Sequence, residues 1–218
     1  MKVLGRQLVA PFDDFWSDFR DDIDVPAEYI EQGHSMVFED QGADLSAPEL
    51  PAWASIPDDD LACHVAHQLT HIAMRNRGFP RTVHGPQYPR DSAEARIGGD
   101  IEEMVLHASL ETLIKPYGFR KDFIIQRMLN GALNGVANSP LPEYGTPWYF
   151  TWAIRYCELQ LDLDASRWKQ LASVYRSRSP KICELGEELV SIMRAVGWGT
   201  PEQALDALIR IRDTLGLK

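Results

Sequence analysis

The chain has 218 residues, with 22 Lys and Arg against 32 Asp and Glu, giving a formal net charge of −10 at pH 7. So acidic a surface repels phosphate backbones, which excludes general nucleic-acid binding as its main role. At 44% hydrophobic and 25% charged residues it reads as a globular protein, and no apolar run approaches the roughly 20 residues needed to cross a bilayer, so no membrane role is expected.

The opening MKVLGRQLVAPFDDFW reaches Pro11 and two aspartates before any stretch long enough for a secretory leader, and a cytoplasmic address is expected. A short strand is read within VLGRQLV. Phe12, Phe15, Trp16, Phe19 and Ile23 then recur every three or four residues, which predicts an amphipathic helix from 11 to 23 with aspartates on its outer face. SMVFE at 35–39 reads as another short strand, and 40–58, with Gly42, Pro48, Pro51 and Pro57, as a loop.

DDDLACHVAHQLTHIAMRNRG follows as a helix, with Asp58 or Asp59 as its cap and Gly78 and Pro80 as its stop. A second loop runs from 79 to 91, and Arg75, Arg77, Arg81 and Arg90 around it read as a solvated edge rather than a binding patch. Asp91 or Ser92 caps a long helix to about 115, in which Gly98 and Gly99 suggest close helix packing. Further helices are predicted at 120–137, 147–161, 164–176 and 180–195, and from 200 onward. Proline follows Thr146, Ser179 and Thr200 as a first-turn residue, and Gln203 is placed as the far arm of a capping box.

The expected fold class is therefore mainly α (α+β), with a small β element and additional C-terminal helices. Its expected division is an N-terminal domain at 1–140, which carries a histidine-rich segment, and a C-terminal helical extension at 141–218 packed on the same core. Cys63, Cys157 and Cys183 are too few and too far apart for a disulfide framework or a metal knuckle, and read as reduced core residues.

The chemistry concentrates in HVAHQLTH, residues 64 to 71. On a helix, His67 and His71 are one turn apart on one face, so both imidazoles can reach one ion. In the HExxH pattern the residue after the first histidine is a glutamate that takes a proton from the attacking water; here that position is Gln68, whose amide has no useful basicity. His64 flanks the same face as a relay, substrate contact or extra ligand.

A third ligand must come from another element. Ile97, Ile101, Met104, Val105 and Ala108 define the apolar face of the 92–115 helix, and Glu94 falls within that stripe, where a buried carboxylate needs a partner. Asp100, Glu103, His107 and Glu111 form a polar flank, with Glu103 and His107 spaced to hold or orient a ligand. His84 in the preceding loop, and Tyr144, Trp148 and Tyr149 as cleft or core aromatics, are weaker candidates.

AHQLTHIAMRNRGFP followed by SAEARIGGDIEEMVLH resembles the zincin core of IrrE/ImmA-type metallopeptidases over about residues 58 to 118. Glu94 stands 23 residues after His71, where that family carries its glutamate ligand. The resemblance implies a zinc-binding fold with His67, His71 and Glu94 as ligands, and a hydrolase acting on a peptide or protein substrate. Gln68 departs from it and points to an inactive variant. The alternatives are a zincin-fold pseudoenzyme and a helical module that binds a partner protein through its C-terminal helices without catalysis.

Overall fold

The computed structural model describes residues 2–3, 6–23, 29–32, 35–38, 56–82, 88–89 and 91–217. Most of the loop expected at 40–58, and His84 and Arg90, lie outside the described residues. The chain divides into two compact units, one formed by 1–77 with 113–124 and the other by 78–112 with 125–218.

Helix dominates both units. In the first, β1 (Lys2–Val3) pairs antiparallel with β2 (Arg6–Gln7), and β3 (Tyr29–Gln32) pairs antiparallel with β4 (Ser35–Phe38). Helix α1 (Phe12–Phe19) ends in a 3-10 turn at Arg20–Asp22, and α2 spans Asp58–Asn76. Its aromatic face works as the spacing predicts. Phe15 stacks on Phe19 at 4.6 Å between centroids and meets Tyr117 and Phe119 edge-on at 5.6 and 5.9 Å, while the Tyr117 hydroxyl donates to Asp18 at 2.8 Å.

Neither Asp58 nor Asp59 caps α2, since the cap position is Pro57. Asp58 accepts instead from the Arg6 guanidinium, which also donates to the Ile56 carbonyl at 2.7 Å. Asp60 is buried and accepts from the Ile124 backbone N–H at 3.1 Å. A side chain of α2 thus satisfies an orphan donor in the first turn of α4 (Asp122–Asn138). Of the arginines read as a solvated edge, Arg77 donates to Asp22 at 2.6 Å and lies over the Phe19 ring.

The second unit contains most of α3 (Ala93–Ile114) and of α4, then α5 (Pro147–Asp162), α6 (Ala165–Arg178), α7 (Pro180–Val196) and α8 (Pro201–Thr214). The proline-marked starts fall as predicted: the Thr146 side chain accepts from the Tyr149 N–H, and Thr200 from Gln203. Gln203 differs from the expected capping box, because its side-chain oxygen takes the N–H of Gly199. Ser92 caps α3 by accepting from Ala95 at 3.1 Å. Gly98 and Gly99 mark no close packing, since a Cβ at either would meet nothing within 4 Å.

Helix α5 is buried almost all round from Trp152 to Leu159, apart from Arg155, and lies closest to α7. Gly186 makes that approach possible. A Cβ there would sit 2.7 Å from Tyr156 Cγ, inside van der Waals contact with a ring whose hydroxyl is anchored to Glu187 at 2.6 Å. All three cysteines are buried thiols outside any disulfide. No helix among the described residues is long and apolar enough to cross a membrane. Gly186→Ala is expected to destabilise the protein by about 1–3 kcal/mol, the cost of overpacking a filled core, read as a lowered midpoint in urea with an unchanged slope.

Candidate metal centre

Helix α2 buries Leu61, Val65, Ala66, Leu69, Ile72 and Ala73, and this stripe sets its rotation. His64, His67, Gln68 and His71 then fall along its half-buried edge. The His67 and His71 rings are inclined at 68°, with their Nε2 atoms 3.2 Å apart. Two nitrogens on one tetrahedral zinc, each at about 2.0–2.1 Å, stand about 3.3 Å from one another. The pair therefore fits a shared ion, and equally an imidazole N–H donating to its neighbour's lone pair. Burial pushes the His64 pKa down to about 4, so it is neutral at neutral pH.

Glu94 departs from expectation. It is exposed, while Ala95, Ile97, Ile101, Met104 and Val105 carry the buried stripe of α3. Its position in the first turn explains this: the positive end of a helix favours a solvated carboxylate. The reason for treating it as a buried charge in need of a metal is removed.

In the second unit, Glu103 and His107 of α3 meet Glu158 of α5. The three offer ligand atoms within 4.8 Å of one another, a set that can hold a metal ion. His107 Nδ1 lies 3.1 Å from Glu158 Oε1, and its Nε2 lies 3.9 Å from Glu103 Oε1. The second oxygen of Glu158 accepts from Arg155. Glu158 is buried. Burial alone would raise its pKa, but the hydrogen bond from His107 and the Arg155 charge bring it below the ordinary carboxylate value. Burial likewise pulls His107 down, and Glu158 more than reverses this.

Glu158 thus favours the protonated form of His107, and binding a metal through this ring competes with that protonation. Glu158 and Arg155 were not singled out by the sequence patterns. The available signal was a charged residue among the core positions of α5, between Cys157 and Leu159. Nearby, Asp100 accepts from the Thr151 hydroxyl at 2.6 Å, and burial raises its pKa against that hydrogen bond. Trp148 is exposed, Tyr149 is buried, and Tyr144 is exposed with its ring 5.1 Å from that of Tyr149. The chain matches no protein-family model, no curated protein and no solved structure.

Because the folded pKa of His107 is raised, its pairing stabilises the protein fully below the unfolded value of about 6.5 and is lost as pH rises through the folded value. In chelator-treated Glu158→Gln the burial effect is left to dominate. NMR titration of the His107 ring should then give a pKa below that of the wild type, with a shallower loss of stability from pH 6 to 8.

Proposed function

We propose that this chain is a zinc-dependent hydrolase of the peptidase type with a zincin-like core, in which His67 and His71 are metal ligands and Gln68 occupies the place of the general base. The observation that carries the reading is the 3.2 Å separation of the two Nε2 atoms on one rigid helix. Zinc held there would supply Lewis acidity toward a scissile carbonyl and acidify a water molecule.

The chain's own contribution is positional. The two imidazoles fill half of a tetrahedral shell. Gln68, next to His67 and half-buried, can hydrogen-bond a water through its amide but cannot take the proton that a glutamate would. Peptide hydrolysis is accordingly slow or absent in the chain as it stands. Gln68 also favours a second reading, a pseudoenzyme that keeps the metal and binds a peptide or partner protein without cleaving it.

Metal analysis of the purified protein should find about one zinc per chain, reduced in His67→Ala and again in His71→Ala. Wild-type metal content in both variants would remove the reading. Gln68→Glu should raise cleavage of labelled casein by about 10²–10⁴-fold, the usual contribution of a general base. Zinc bound at full occupancy with no cleavage in Gln68→Glu would select the pseudoenzyme.

A further inference from the structure

The second unit contains a cavity of about 550 Å³, within the range of small-molecule sites. One wall exists because α4 presents Gly131 and Gly135 to it, one turn apart, with Ser139 just beyond the end of the helix. Where a longer side chain would fill the space there is only backbone, and a Cβ at Gly135 would meet nothing within 4 Å.

Facing this wall are three aromatic side chains, Trp148, Trp152 and Tyr175. Trp148 and Trp152 are 6.5 Å apart at 68°, and Trp152 and Tyr175 are 6.1 Å apart at 82°. Steeply inclined rings present both faces and edges, and an aromatic face attracts a cation through its quadrupole. The charged part of the lining is mostly acidic: Asp100, Glu103 and Glu158 with Arg155. Three carboxylates line the cavity against Arg155, with His107 behind Glu103 and Glu158, which leaves an excess of negative charge. Burial raises the Asp100 pKa, a penalty on its charged form that an incoming cation would relieve.

We propose that this cavity binds a small organic ammonium ion, with its alkyl groups against Trp148 and Trp152 and its charge toward Asp100 and Glu103. A neutral apolar ligand would use the rings and leave the burial penalty on Asp100 unrelieved, and an anion would meet the carboxylates directly. The aromatic walls favour a weakly hydrated, alkylated nitrogen over a bare metal cation. The proposal is independent of the zinc reading and concerns a different set of residues.

The probe is choline chloride, titrated at constant ionic strength into the full chain with tryptophan fluorescence and calorimetry as readouts. Its neutral isostere 3,3-dimethylbutan-1-ol is titrated in parallel. Saturable choline binding is expected, with the isostere about tenfold weaker or worse. Trp148 is 53% exposed, so Trp148→Ala should fold, and it should weaken choline about fivefold or more.

Gly135→Leu fills the void at a helical position where leucine is the better helix former. It should abolish binding while leaving the unfolding midpoint at or above that of the wild type. No saturable response to choline, equal binding of the isostere, or wild-type affinity in both variants would overturn the proposal.

Discussion

A carboxylate cannot be buried on a helix unless it is given partners, and Glu158 governs how the second unit is assembled. Its backbone position is set by α5, whose neighbouring residues are core. One oxygen takes His107 from α3, the other takes Arg155 one turn back on its own helix. Leaving a buried charge alone costs several kcal/mol, so the contact holds α3 and α5 in one register and favours the protonated form of His107. The acidic lining of the adjacent cavity begins at this same residue.

The absence of side chain is used in two opposite ways in this unit. At Gly186 it brings two helices together, and the Tyr156 ring occupies the space a Cβ would need. At Gly131 and Gly135 it keeps space open. The residue type is the same in both cases. What differs is whether an aromatic ring on the neighbouring helix is fixed against the glycine, as Tyr156 is by its hydrogen bond to Glu187.

The histidine pair of α2 belongs to a different order of determination. Its geometry follows from helical periodicity together with the buried stripe that turns the histidines to one edge, and it needs no distant partner to exist. A helix that brings two imidazole nitrogens to 3.2 Å has already met much of the entropic cost of gathering them, whether around an ion or in a hydrogen bond. Gln68, fixed beside His67 by the same backbone, preserves hydrogen bonding while removing basicity. The spacing of the imidazoles and the basicity of position 68 are therefore set by different residues of one helix.

The sequence by itself determined the positions of the helices, the caps at Thr146 and Thr200, the aromatic face of α1 and the convergence of His67 with His71. Each of these depends on residues within about one helical turn of one another, where propensity, capping and periodicity act. Only the tertiary structure decided that Asp58 serves Arg6, that Asp60 serves α4, that Glu94 faces water and that Glu158 gathers His107 and Arg155. Those outcomes depend on which elements pack together and how far each helix end projects, and a carboxylate's role is set by its desolvation and by the cation or N–H donor brought to it from elsewhere in the chain.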